Sequence, residues 1–435
     1  MGENDTKRKR LSRRDFLKGS ALAGAGLALS KYLAGGSTEV PGSLAQEGTP
    51  TQELYLPHVS RQSTPTATAT RTATATPTAT PTTEPGARPK VVHVHAGNAT
   101  NWNFGSDYYG YYVNQNVVNN MVDQGVMELT GTSSLYQAWQ SLLPGYAHGK
   151  AIAVKVNLNN ADCYNTDNQI DAVIEPVNAL IRSLVMAGIR EQDVWIYDAS
   201  RPMPTTFYDR RQYTQARYID AYDWCHGDTA TFNHVNGSLR VPFSHPSLTD
   251  RWLPDLLYEA SYLINMPLLK KHSISPVTLG FKNHFGSIDD ITGSSDSNNL
   301  HRYIKPTSSL YDSDYSPFVD IYSNANIAGK TVLTLGDGLF GAPGAGEIPV
   351  RWDTFENQAP NSLFFSRDPV AIDCVMCDFL RYEWGVSNGT YDYLFAAQTR
   401  SLGVCEGTSS SPGGNPWQQP YGSGYSDVQF VRRDL

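Results

Sequence analysis

Cysteine is scarce, with five residues in 435: Cys163, Cys225, Cys374, Cys377 and Cys405. That number and scatter exclude a disulfide scaffold. With no closely spaced run, the sequence offers no place for a ferredoxin-type iron–sulfur cluster, and none is expected. Cys374 and Cys377 form a C-x-x-C with no second pair at zinc-ribbon spacing, so core packing, a disulfide and a metal are its readings in that order. Long apolar stretches are also missing. The run at residues 19–29 is weakly apolar and shorter than the ~20 residues of a membrane-spanning helix, and no later segment replaces it. Positive charge is short as well: 34 Lys and Arg stand against 42 Asp and Glu. Because residues 1–45 hold eight of the cations and four of the anions, the remainder carries 26 against 38. A body so acidic would repel a polyanion, which excludes nucleic acid as a partner. Neither H-E-x-x-H nor G-x-S-x-G is present, so a zincin and a nucleophile-elbow hydrolase have no support.

What is present begins with an address. Lys7-Arg8-Lys9-Arg10 leads to Ser12-Arg13-Arg14-Asp15-Phe16-Leu17-Lys18, followed by the weakly apolar run. Paired arginines, Phe-Leu-Lys and modest hydrophobicity in that order specify a twin-arginine export signal, expected over residues 1–45 with small residues for cleavage at Ser43-Leu44-Ala45. The translocation machinery is thus one partner, and the expected destination is periplasmic or extracellular. Residues 63–85 repeat Thr-Pro-Thr-Ala-Thr, a composition with almost nothing to bury. Residues 46–89 are expected to be a disordered tether able to hold the protein at a surface, leaving residues 90–435 as a single α/β domain without a membrane span. With 40% apolar and 11% aromatic residues in the chain, that domain has ample material for a core.

Apolar periodicity alternates between two and 3.6 residues along that body. Strands are expected at residues 91–95, 151–157, 193–198, 230–235, 262–266, 330–335 and 363–365. Helices are expected at residues 113–127, 135–143 and 170–186, with a final one opening at Asp368-Pro369. The alternation predicts a mostly parallel sheet with helices on both faces, in Rossmann-like layers, followed by an irregular C-terminal tail. In such sheets ligands sit at the carboxyl ends of strands, where His95, Lys155, Asn157, Asp198, Asn265 and Asp337 fall.

The densest chemistry is Lys270-Lys271-His272, then Thr278, Lys282-Asn283-His284 and Gly286. Ammonium, imidazole and amide donors in an acidic protein suit a small anionic ligand, phosphate or carboxylate, although charge runs often just face water. Lys155 interrupts a valine-rich strand, and a buried Lys needs a partner. Asp198 or Asp337 could supply it, with Asn157 on the same sheet face. Gly336-Asp337-Gly338-Leu339-Phe340-Gly341 fits G-x-G-x-x-G, but Ala342-Pro343-Gly344-Ala345-Gly346 continues it as a loop rather than opening a helix. It is therefore a ligand-loop candidate, with Gly338 and Asp337 as contacts, rather than a dinucleotide fingerprint. His93 and His95 share a strand face at a spacing that can bind a metal, with His272, His284, Asp289 and Asp290 as further ligands.

The phrases Ala153-Val154-Lys155-Val156-Asn157, Ile264-Asn265-Met266-Pro267-Leu268-Leu269-Lys270-Lys271-His272, Val277-Thr278-Leu279-Gly280-Phe281-Lys282-Asn283-His284-Phe285-Gly286, Gly336-Asp337-Gly338 and Asp368-Pro369-Val370-Ala371-Ile372-Asp373 occur in one order. In this the chain resembles the domain of unknown function 362 family over about residues 90–385. The resemblance implies an α/β domain without a settled activity. It maps Lys155, Lys270, His272, Lys282, Asn283, Asp337, Asp368 and Asp373 onto the family's polar motif positions. Many relatives carry ferredoxin-type cysteines, and this sequence departs from them. The leading expectation is a pocket in which Lys155, Lys270 and Lys282 hold an anion, Asn157, Asn283 and Asp198 assist, His272 acts as acid or base with Lys155 and Lys282, and Asp337 orients a lysine or a metal. The alternatives are a ligand-binding envelope protein without chemistry and a metal- or redox-dependent enzyme using His93 and His95.

Overall fold

The computed structural model describes residues 87–164 and 168–435. The export signal, its cleavage site and the Thr/Pro tether lie outside the described residues. Eleven strands make one sheet: β1 Lys90–His95, β2 Ile152–Lys155, β3 Val194–Tyr197, β4 Arg217–Asp220, β5 Asp228–Thr229, β6 Tyr262–Asn265, β7 Leu268–Lys271, β8 Val277–Thr278, β9 Thr331–Ala342, β10 Ser362–Ser366 and β11 Gln429–Asp434. Their order is β11-β1-β10-β9-β6-β2-β3-β4-β5. All neighbours in this row are parallel except β10, which is antiparallel to both β1 and β9. The long strand β9 pairs first with β6 and then with β7, while β8 folds back on β7. Pro267, which has no N–H to give a ladder, separates β6 from β7.

Helices cover both faces. α1 Gln115–Thr130, α2 Leu135–Leu142 and α3 Ile174–Met186 pack on one face, where Val118, Leu142 and Leu180 meet Val92, Val154 and Leu335. α4 Gly280–Asn283, α5 Pro317–Tyr322, α6 Pro369–Trp384 and α7 Asp392–Thr399 pack on the other, with Phe281, Ile321, Val375 and Leu394 beside Leu263 and Phe364. In α1 the buried residues Val118, Met121, Val122, Gly125 and Val126 follow helical spacing, each large one contributing roughly 1.5–3 kcal/mol when fully buried. The helix stops at Gly131, whose φ of 68° is left-handed and which returns its N–H to Glu128. Asp368 opens α6 as expected, its carboxylate accepting from the N–H groups of Val370 and Ala371.

Several expectations are corrected. Residues 230–235 form no strand, because the pairing with β4 ends at Thr229, and Asp255 then binds the Thr231 hydroxyl and the Asn233 amide. Residues 336–341 are not a loop but the middle of β9, whose residues are all buried. Their glycines serve close packing: a Cβ on Gly336 would lie 2.5 Å from the Met376 sulfur, and one on Gly341 would lie 2.3 Å from the Trp352 ring. α6 is followed by α7, so it is not the last helix, and the tail ends as the edge strand β11, parallel to β1. Strands β4 and β11 went unseen in the sequence because Arg-Tyr-Ile-Asp and Gln-Phe-Val-Arg-Arg-Asp are too polar to read as buried runs.

Candidate functional site

The polar cluster forms at the carboxyl ends of β2, β3 and β6. Along β2 the side chains of Ile152 and Val154 join the core under α1–α3 while Ala153 faces the opposite core, so Lys155 points to the α4–α7 face. There Lys155 is fully buried, and its Nζ lies 3.0 Å from Asp198 Oδ2 and donates to the Val156 carbonyl and to Asn283 Oδ1. Asp198, one residue past β3, accepts from the Leu158 N–H on Oδ2 and from the Ser200 N–H and hydroxyl on Oδ1. Burial lowers the Lys155 pKa, and the Asp198 carboxylate opposes that shift. This pair is internally satisfied, with Gly286 closing over it. A Cβ there would sit 2.6 Å from Lys155 Nζ and 2.8 Å from Asp198 Oδ1.

A chain of amides leads outward with a fixed direction. The Gly280 carbonyl accepts from Asn265 Nδ2, Asn265 Oδ1 accepts from Asn283 Nδ2, and Asn283 Oδ1 accepts from Asn157 Nδ2 at 3.1 Å. The relay leaves Asn157 Oδ1 buried and without a partner among the described residues. α4, which presents Lys282 and Asn283, is held by Asp373 of α6. The Asp373 carboxylate accepts from the N–H groups of Gly280 and Phe281 at 2.8 and 3.1 Å, and from the Tyr393 hydroxyl. Gly280 allows this approach, since a Cβ would lie 2.8 Å from Asp373 Oδ1.

These elements enclose a cavity of about 80 Å³ lined by Lys155, Asn157, Arg201, Thr278, Lys282 and His301, among others. Lys282 is 8% exposed and makes no hydrogen bond or ion pair among the described residues, its Nζ lying 5.3 Å from the Phe285 ring centroid. Burial, with the charges of Lys270 and Arg201 nearby, brings its pKa down to about 7. Thr278 Oγ1 also lacks a partner among the described residues. Arg201 uses its Nε on the Asn159 carbonyl and its Nη1 on that of Ser200. Lys270 is fully buried and donates to the Ile170 carbonyl; burial lowers its pKa. His301 is held near 4 by burial and by Lys282 and Arg201. His272 is held near 2 by burial and by Lys282 and Lys270. Its Nδ1 accepts from the Ile274 and Ser275 N–H groups, so Nε2 carries the proton. His272 is therefore a neutral donor rather than a ready base.

Of the residues singled out in the sequence, Lys155, Asn157, Asp198, Lys282 and Asn283 line one cavity, with Lys270 and His272 electrostatically coupled to it. Asp337 is elsewhere. It shares the α1–α3 face with Leu335 and Leu339, accepts from the Leu339 N–H, and is raised to about 7 by burial, with Glu175 adding to the shift. Gly338 is wedged between Leu269 and Phe364. His93 sits among Phe364, Phe379 and Phe430, with its Nε2–H given to Ser362, and His95 gives Nδ1–H to the Pro360 carbonyl. His284 binds Ser287, while Asp289 and Asp290 serve the loops around Trp252 and Thr292. No group of three or more His, Cys, Asp or Glu at metal-binding distances occurs among the described residues. Arg201 and His301 were missed. Arg201, three residues beyond a strand-end aspartate, could have been found by the strand-end rule, whereas His301 carries no local signal. Cys374 and Cys377 are buried and free in α6, whereas Cys163 and Cys225 form a disulfide.

Comparison with known proteins agrees with the two ends of this description. Residues 10–30 match the twin-arginine translocation pathway signal sequence. No curated protein matches the chain. A crystal structure of a Thermotoga maritima protein from the Northeast Structural Genomics Consortium matches 55% of this chain and 53% of its own length, at 9% identity and a TM-score of 0.28, so the chain spans about half of that protein. Among the described residues no helix is long and apolar enough to cross a membrane. Residues 152–378, more than half of the chain and the stretch that carries every cavity-lining side chain named above, match the domain of unknown function DUF362, and the protein is an exported member of that family.

Proposed function

We propose that the domain binds a small hydroxylated anion in the cavity at the carboxyl ends of β2, β3 and β6. The observation that carries this reading is the convergence of three unpartnered polar groups, Lys282 Nζ, Thr278 Oγ1 and Asn157 Oδ1, on one small cavity beside Arg201. A buried cation left without a partner costs stability, and such costs are retained where a ligand repays them. The two cations favour a carboxylate or phosphate. Asn157 Oδ1, aimed by its amide relay, favours a ligand that also offers an O–H, and Thr278 can serve either group. Lys155 and Asp198 act as the floor of the site, while Lys270 and His272 set its potential. His272 and His301, neutral at physiological pH, are suited to donate rather than to hold charge. Residues 90–435 are read as the one folded domain, released to the periplasm or beyond and held there by the Thr/Pro segment.

The test is calorimetric titration of the exported chain with phosphate, glycolate and oxalate. One binding site is expected for at least one of them, lost in Lys282→Met with the fold intact by circular dichroism. A folded wild-type protein that binds none of the three would sink the proposal. A non-catalytic carrier uses the same pocket, and turnover of a bound hydroxy or oxo acid is what separates it from an enzyme.

A further inference from the structure

Resting on the anion-pocket reading, we infer that Lys282 is an amine nucleophile and that the ligand class is a small oxo acid, held as an imine on Lys282 Nζ. Three geometric features point there. The Lys282 amine faces a cavity rather than a carboxylate, and within hydrogen-bond reach nothing among the described residues competes for its lone pair. Its neighbours are cations, Lys270 and Arg201, and a lysine placed beside other cations keeps a neutral fraction at physiological pH, in line with its pKa near 7. The Arg201 guanidinium has Nη2 free of protein carbonyls among the described residues and lines the same cavity, where it can pair with the carboxylate of an oxo acid.

The chemistry closes without a further reactant. The Nζ lone pair of neutral Lys282 attacks the carbonyl carbon, and the carbonyl π pair takes a proton to give a carbinolamine hydroxyl. That hydroxyl is the donor that Asn157 Oδ1, the one free end of the amide relay, is oriented to accept. Loss of the hydroxyl with a proton as water forms the C=N bond, so one amine and one carbonyl become one imine and one water. His301 lines the cavity and is neutral, which lets it pass the proton to the departing hydroxyl. The cavity, about 80 Å³, limits the partner to the smallest members of the class.

The experiment uses the exported chain with glyoxylate and cyanoborohydride at neutral pH, followed by peptide mass mapping. The expected result is one carboxymethyl group on Lys282, formed at least tenfold faster than on the exposed Lys150 and Lys305 and slowed by oxalate. If oxalate binds in a Lys282-dependent way but Lys282 reacts no faster than Lys150 and Lys305, the imine is overturned and the anion pocket stands. If neither oxalate binding nor selective modification is seen, both fail. Because the site is mapped on the wild-type chain, a misfolded variant cannot obscure the answer.

Discussion

Lys155 and Lys282 are both buried lysines at the carboxyl end of the sheet, yet their circumstances differ. Lys155 has Asp198 at 3.0 Å and three acceptors in all, and is therefore structural. Lys282 has none among the described residues. For Lys282→Met, a gain in stability on the order of 1–4 kcal/mol is expected together with loss of anion binding, because an uncompensated buried charge is removed. The sign with pH follows from the lowered pKa. Between about 7 and 10.5 the unfolded chain binds the Lys282 proton more tightly than the folded one, so wild-type stability rises with pH in that window. The advantage of the Met variant should be greatest below pH 7 and fade toward pH 10.5, as measured by denaturant unfolding at several pH values. Anion affinity in the wild type should move the other way, weakening as pH rises through about 7. Gly286→Ala tests the floor of the site, since the new methyl would press on both Lys155 and Asp198. A loss of ~1–3 kcal/mol is expected from such overpacking, and an unchanged melting temperature would show that the pair has room to move.

At the scale of elements, the site depends on how α6 holds α4. Asp373 gives each carboxylate oxygen to one of the first two N–H groups of α4, and burial pushes its pKa up to about 7. Asp373→Asn keeps one acceptor and turns a donor toward the other amide. A cost of about 1–2 kcal/mol in thermal or chemical unfolding is expected, with weakened anion binding because Lys282 and Asn283 lie on that turn. A variant that lost stability but kept full affinity would mean that α4 is positioned by its apolar packing alone. β2, β3 and β6 were legible in the sequence because their β-branched runs are bounded by polar residues. β4 and β11 were not, because edge and near-edge strands need no apolar run.

At the scale of the whole molecule, the Cys163–Cys225 disulfide spans 62 residues and joins the segment after β2 to the one between β4 and β5, both next to the cavity wall that carries Arg201. A twin-arginine substrate crosses the membrane already folded, so the core must form before this bond meets an oxidising compartment. Closing a loop of that length contributes about 4 kcal/mol in the chain-entropy account. Reduction is expected to lower the melting temperature of the exported protein by several degrees while leaving a cooperative transition. A reduced chain that fails to fold would contradict export in the folded state without the bond.

By itself the sequence determined the export route, the alternation of strand and helix, and most of the anion-binding side chains. Each of these is written locally, as paired arginines before an apolar run, as periodicity, or as a polar residue where a buried strand ends. Only the tertiary structure decided which of those side chains share a site. Asp337 and Lys155 both follow apolar strand residues, but opposite pleat phases send one under α1–α3 and the other toward α4. The glycines of β9 imitate a nucleotide loop because close packing against Met376 and Trp352 demands the same small residue that a phosphate would. His301 and Arg201 enter the cavity from loops distant in the chain, and Lys282 is alone there because no carboxylate of this acidic protein is folded beside it, a fact of three-dimensional arrangement that composition could not hold.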